Sequence, residues 1–225
     1  MQGLKYTVDI VMCIDCTGSM GDIMDTVKAN ALKFYPDLKS ALEAKDKHVD
    51  TLRIKVIAFR DFYADGMDAI SESPFYTLPD QQTDFQSFVS GLVPRGGGDE
   101  PENGLEALAL AMRSDWNKSG DKRREIIVMY TDASAHPLDH SSSSKPSNYP
   151  TGIPANLNDL TDWWTGQDTY VSQTAQRLII YSPDSTPWTD ISNEWDNLIH
   201  YPSQAGMGLK ELDYETILSA IVKSV

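Results

Sequence analysis

Three oxygen-bearing side chains stand at alternate positions in Asp15-Cys16-Thr17-Gly18-Ser19-Met20, directly after the apolar run from Val8 to Ile14. In an extended turn, residues two apart point to the same side, and Gly18 lets the backbone bend, so Asp15, Thr17 and Ser19 can converge. One carboxylate and two hydroxyls make a hard oxygen set. It suits Mg²⁺ or Mn²⁺ and leaves charge and coordination positions for a further ligand, such as a carboxylate from a partner. The competing reading of an isolated D-x-T-x-S is local: Thr17 or Ser19 caps the following helix. The pattern is not isolated, however, because Asp132 closes a second apolar run, Ile127-Val128-Met129-Tyr130-Thr131-Asp132. Between the two lies Arg95-Gly96-Gly97-Gly98-Asp99-Glu100-Pro101-Glu102-Asn103-Gly104, a Gly-rich loop leading into a helix. Three loops at one sheet edge can close on one ion. Asp99 reads either as a ligand or as a helix N-cap, with Glu102 at capping-box spacing and Pro101 in the first turn; one residue can do both.

These loops need a scaffold that brings strand ends together. Apolar runs predict strands at Thr7–Ile14, Leu52–Phe59, Ile126–Thr131 and Leu178–Tyr181, with weaker candidates at Phe75–Leu78 and near Ile199–Tyr201. Four are nearly continuous apolar runs, the pattern of strands buried on both faces in a parallel sheet. Amphipathic spacing predicts helices over Asp22–Lys45, Thr83–Leu92, Glu102–Trp116, Leu157–Gln176, Ile191–Leu198 and Tyr214–Lys223, the first kinked or split at Pro36. The alternation predicts one α/β domain over residues 1–225, a doubly wound, mostly parallel sheet with helices on both faces. Ligands of such a sheet gather at the carboxyl ends of its strands. One segment departs from the pattern: Ala133 to Asn156, rich in Ser, Pro, Asn and Gly, predicts a long loop insertion forming a mobile rim over the ion.

A chain of 225 residues can bury a core without a disulfide or zinc staple. Its net charge of −14 would repel a phosphate backbone, which argues against nucleic acid as a partner. No apolar run approaches the roughly 20 residues that span a bilayer, and Met1-Gln2-Gly3-Leu4-Lys5 lacks the shape of a signal peptide, so the expectation is a soluble, cytoplasmic protein without a membrane partner.

The remaining chemistry-bearing residues have structural readings. Cys13 and Cys16 form a lone C-x-x-C that leaves a strand instead of opening a helix, which favours two small packing residues over a redox pair. His136 and His140 flank Pro137 and Asp139 in the long loop, where a helical two-histidine metal site is disfavoured. Arg60-Asp61, after the second strand, predicts a buried or half-buried charge pair. Trp163, Trp164, Trp188 and Trp195 read as packing aromatics.

Taken together, the motifs resemble the von Willebrand factor A (VWA) domain family, whose metal-ion-dependent adhesion site comprises D-x-[ST]-G-S, a Thr or Asp in a Gly-rich second loop and an Asp after the fourth strand. The likeness is to the bacterial and alpha-kinase-associated branch in particular, through Asp15 to Met20, Phe59-Arg60-Asp61, Gly96 to Glu102 and Asp132-Ala133-Ser134-Ala135-His136. It covers nearly the whole chain. The resemblance implies direct metal contact by Thr17 and Ser19, and direct or water-mediated contact by Asp15 and Asp132. The commoner Thr of the second loop is replaced by Gly98-Asp99, and a third carboxylate there would make an acidic partner less welcome. The implied function is a non-catalytic metal-binding module that captures a protein partner, in a bacterial cytoplasmic assembly such as a kinase–phosphatase or ATPase system. The rival is a Mg²⁺-dependent phosphohydrolase of haloacid-dehalogenase type with Asp15 as nucleophile. That chemistry needs a second Asp where Thr17 stands and a distal Asp-Asp pair, which the chain lacks.

Overall fold

A computed structural model describes residues 5–31, 33–98, 100–140, 145–166, 170–207, 209 and 213–225. Among these residues, seven strands form one sheet in the order β3-β2-β1-β5-β6-β7, with β4 also paired to β2. The strands are β1 (Tyr6–Asp15), β2 (Thr51–Phe59), β3 (Ile70–Glu72), β4 (Tyr76–Leu78), β5 (Lys122–Tyr130), β6 (Gln176–Pro183) and β7 (Leu198–Ser203). β1, β2, β5, β6 and β7 run parallel, while β3 and β4 lie antiparallel on β2. The helices are α1 (Gly21–Ala31), α2 (Phe34–Glu43), α3 (Phe62–Asp65), α4 (Gln82–Ser90), α5 (Gly104–Met112), α6 (Leu157–Thr165), α7 (Trp188–Glu194) and α8 (Tyr214–Ser224). The expected doubly wound α/β architecture is present.

Side chains of β1 alternate between two cores. Val8, Ile10, Met12 and Ile14 meet α1, α2, α4 and α8, whereas Val11 and Cys13 meet α5, α6 and α7. All residues of β1 after Tyr6 are buried, which is why the strand reads as a continuous apolar run. α5 is buried along its whole length, between the sheet and the segment that follows β5. Each fully buried aliphatic or aromatic side chain in these layers contributes roughly 1.5–3 kcal/mol.

Several boundaries differ from expectation for identifiable reasons. The first helix divides into α1 and α2, and Pro36 sits in the first turn of α2, where its missing N–H costs no intrahelical bond. α6 stops at Thr165, with Gly166 as its C-cap, well short of Gln176. α5 starts at Gly104 with Asn103 at the N-cap, so a capping box on Asp99 is not how this helix begins; Asp99 itself lies outside the described residues. The segment from Ala133 to Asn156 holds no helix or strand among its described residues, and two of its side chains, Leu138 and Tyr149, are packed against the body of the domain. Leu138 is buried in the α5 core, and the Tyr149 ring lies 5.1 Å from Phe62 while its hydroxyl donates to Glu106 Oε1 at 2.6 Å. Both cysteines are free and buried, and burial pushes the thiols up, to about 12 at Cys16. Trp164, Trp188 and Trp195 are core residues, Trp164 and Trp195 stacking at 5.5 Å. No helix among the described residues is long and apolar enough to cross a membrane.

Candidate metal centre at the carboxyl edge of the sheet

Strand order reverses at β1, which has β2 on one side and β5 on the other. Ile14 is in register with Tyr130, so Asp15 on one strand and Thr131-Asp132 on the next leave the sheet side by side. This is the switch point where a doubly wound sheet opens a crevice. Asp15, Thr17 and Asp132 are buried there, and Thr17, Ser19, Glu102 and Asp132 line a cleft of about 190 Å³, enough for an ion and a few waters.

Asp15 is fully enclosed and both its oxygens are engaged. Oδ1 accepts from the Thr17 N–H at 2.9 Å and the Thr17 hydroxyl at 2.7 Å, and Oδ2 accepts from the Thr131 hydroxyl at 2.7 Å. The Ser19 hydroxyl donates to Asp132 Oδ1 at 2.9 Å, and the two hydroxyl oxygens of Thr17 and Ser19 are 3.3 Å apart. A carboxylate only accepts, so the hydroxyl protons of Thr17 and Ser19 are directed at carboxylates and their lone pairs remain for a cation. Burial raises the Asp15 carboxyl to about 6, with the Thr17 and Thr131 bonds opposing and the Asp132 charge adding to the rise.

The Gly-rich loop closes the cleft. Gly96 and Gly97 have φ of +68° and +71°, and a Cβ on Gly96 would fall 1.8 Å from Asp65 Oδ1, so neither position accepts another residue without strain. The Gly97 N–H donates to Asp65 Oδ2 at 2.9 Å, and the Gly18 N–H donates to Gly96 O at 3.1 Å, joining first and second loops. Arg60 ties the loops from behind. Its guanidinium donates to the carbonyls of Cys16, Arg95, Asp68 and Val93 at 2.6–3.1 Å. The expected Arg60-Asp61 pair is therefore replaced: Asp61 caps α3 through the Tyr63 N–H and faces His136 Nε2 at 3.7 Å. His136 and His140 lie 4.9 Å apart against the Tyr63 ring.

Sequence reasoning assigned Glu102 to a helix cap, but the structure turns it into the cleft. Its N–H donates to Ser134 O, its carbonyl accepts from the His136 N–H, and it forms a parallel bridge with Ala135. Burial, then the charges of Asp15, Asp61, Asp65 and Asp132, raise its carboxyl to about 9. Of the residues expected at the site, Asp15, Thr17, Ser19 and Asp132 are brought together. No group of three His, Cys, Asp or Glu side chains among the described residues is arranged to hold an ion alone, so the hydroxyls belong to any ligand set. The donors are hard oxygens, and Glu102 Oε2 is a buried oxygen with no hydrogen-bond partner among the described residues. That set fits a hard divalent cation.

Comparison with known proteins agrees on the fold. No family model matches the chain. It is 27% identical over 155 residues to alpha-protein kinase vwkA of Dictyostelium discoideum, covering 68% of this chain and 23% of the kinase. It is also 27% identical over 181 residues to an ariadne-like RING finger protein of Acanthamoeba polyphaga mimivirus, covering 79% of this chain and 16% of that protein. The chain thus spans less than a quarter of either curated relative. Among solved structures, the pilus adhesin SpaC of Lactobacillus rhamnosus GG superposes with a TM-score of 0.56 at 13% identity, over 99% of this chain and 31% of the adhesin. Proximal thread matrix protein 1 of the mussel byssus, in a form with a zinc-occupied MIDAS motif, gives 0.51 at 12% identity over 98% of this chain and 48% of its own. The architecture is that of a VWA-like domain.

Proposed function

We propose that this domain is a non-catalytic interaction module that binds Mg²⁺ or Mn²⁺ at the carboxyl edge of its sheet and captures a protein partner over that face. The observation that carries the reading is the direction of the two hydroxyls. Thr17 and Ser19 spend their protons on Asp15 and Asp132, leaving oxygen lone pairs for a cation held under the positions where a partner would dock. Asp99 stays in the proposal as a further ligand of the second loop, on the strength of the family pattern alone. Exposed Met207, beside the cleft-lining Gly206, gives the rim apolar contact surface. The adhesin and matrix-protein likenesses and the alpha-kinase relative support a protein partner, which we place in a kinase–phosphatase or ATPase system of the cytoplasm.

The geometry speaks against the phosphohydrolase alternative. A nucleophilic Asp15 needs a free carboxylate oxygen and an acid two residues on; instead both its oxygens accept hydrogen bonds and Thr17 occupies the second position. The test is a pull-down with Mg²⁺ or with EDTA, alongside turnover of a generic phosphate ester. Metal-dependent capture that Asp15→Asn abolishes, without turnover, is expected. Metal-dependent ester hydrolysis lost in Asp15→Asn would overturn the proposal.

A further inference from the structure

We propose that the amino edge of the sheet carries a second site, for an organic phosphate: a phosphate monoester held by Arg177 and Lys223, with its apolar body laid along Leu178, Leu198 and Ile199. The site lies at the opposite end of the strands from the metal centre and does not depend on it. Four cations gather around the last turn of α8: Lys47, Arg124, Arg177 and Lys223. Two of them have a structural duty. Lys47 Nζ donates to Val222 O at 2.9 Å and Arg124 Nε to Ser224 O at 3.0 Å, meeting carbonyls that the end of a helix leaves open. The other two do not serve α8 in this way. Arg177 engages only Nη1, with Gln176 O at 2.6 Å and Asn197 Oδ1 at 3.3 Å, while its Nε and Nη2 and the Nζ of Lys223 meet no acceptor among the described residues.

Arg177 and Lys223 line a cleft of about 220 Å³ between β6, β7 and the end of α8, and among the described residues no acidic side chain lines it. No ion pair among the described residues includes either cation. In a chain with 33 Asp and Glu against 19 Lys and Arg, a cleft edged by cations alone runs against the composition. Partial burial, then the charge of Arg124, hold the Arg177 guanidinium below its ordinary value, as happens when cations are brought together without an anion. Two positive charges match a phosphate dianion, and the guanidinium fork presents paired N–H groups to two phosphate oxygens. A single carboxylate would leave one charge uncompensated. The remaining wall is apolar, through Leu178, Leu198 and Ile199, the last 40% exposed on the edge strand β7. Such a wall suits an apolar group attached to the phosphate. The net charge of −14 still disfavours a long phosphate polymer, whereas one phosphate meets only the local field.

The test uses the full chain in EDTA, so that no cation at the carboxyl edge takes part, and titrates phenyl phosphate at pH 8 by amide chemical shifts. Saturable shifts at Asn197, Leu198 and Ile199 are expected. Arg177→Gln and Lys223→Gln should each weaken binding at least ~10-fold. Arg123→Gln, which alternation places on the other face of β5 from Arg124, is the control and should match wild type. Inorganic phosphate, which lacks the apolar body, and benzoate, which lacks the second charge, should each bind at least ~10-fold more weakly than phenyl phosphate. If Arg177→Gln does not fold, Lys223→Gln, at an exposed position of α8, carries the test alone. No shift in the cleft at ~10 mM phenyl phosphate, or wild-type affinity in Lys223→Gln, overturns the site. Benzoate binding as tightly as phenyl phosphate overturns the phosphate assignment, and inorganic phosphate binding as tightly overturns the apolar part of the ligand.

Discussion

Replacing Asp15 by Asn should stabilise the metal-free domain while removing its response to metal. Burial raises the Asp15 carboxyl from its ordinary 3.8 to about 6. At about 1.4 kcal/mol per pH unit, the anion is therefore held about 3 kcal/mol less favourably in the fold than in the unfolded chain. Asn keeps an oxygen for the Thr17 amide and hydroxyl, and turns its NH₂ toward Thr131 Oγ1, which can accept. Exchanging that charge-assisted bond for a neutral one costs about 1 kcal/mol, leaving a net gain of about 1–2 kcal/mol at pH 8. The sign with pH follows from a carboxyl raised in the folded state. Below pH 3.8 both states of the wild type are protonated and the variant has no advantage. The advantage grows as pH rises from 3.8 through about 6 and is complete above that. Urea unfolding in EDTA at pH 8 and pH 4 measures it. Adding Mn²⁺ at 100 times its dissociation constant stabilises wild type by about 2.7 kcal/mol and the variant not at all, so the order of stabilities should invert. A variant less stable than wild type by more than ~1 kcal/mol in EDTA at pH 8 would refute the reasoning. It would mean that three hydrogen bonds fully compensate the buried charge.

Gly97→Ala should cost about 1–3 kcal/mol in denaturant unfolding, since alanine is strained at φ +71° and its methyl would press on Glu102 and Thr17; weakened Mn²⁺ binding should accompany it in calorimetry. Leu138→Ala should destabilise by about 2–5 kcal/mol, because the side chain belongs to the α5 core, and a loss below ~0.5 kcal/mol would restore the picture of a loose rim. Arg60→Met should cost at least about 3 kcal/mol and lower metal affinity, since four carbonyls lose a buried charged donor; equal urea midpoints would count against the guanidinium as the tie between loops.

The parts of the fold legible in the sequence are those dictated by local pattern. β1, β6 and the carboxyl-terminal halves of β2 and β5 are buried on both faces, so their apolar runs name them, and the order of elements then puts Asp15 and Asp132 at one edge. What escaped depends on distant partners. β3 carries a single apolar residue in Ile70-Ser71-Glu72 and exists because β2 offers it an edge, while α3 is one turn capped by Asp61. The segment after Asp132 looks loose by composition, yet Leu138 and Tyr149 fasten it, and nothing in the neighbouring serines announces that. Glu102 is the instructive case. In Glu100-Pro101-Glu102 spacing alone cannot tell which carboxylate turns inward, and Glu102 is fixed by a backbone bridge to Ala135, far along the chain.

The Arg60 guanidinium has a consequence for how the ion behaves. Loops that meet at a cation are often assembled by it, and lose their arrangement when it leaves. Here a cation is already built into the chain, gripping the backs of the loops through hydrogen bonds to their carbonyls, so the faces that carry Asp15, Thr17 and Glu102 are held in place without an exchangeable ion. The exchangeable ion has little ordering left to perform, and its binding free energy goes undiminished into affinity. Such a centre can load and unload while its surface keeps one shape, which makes occupancy a reversible signal to a partner and leaves folding out of the exchange.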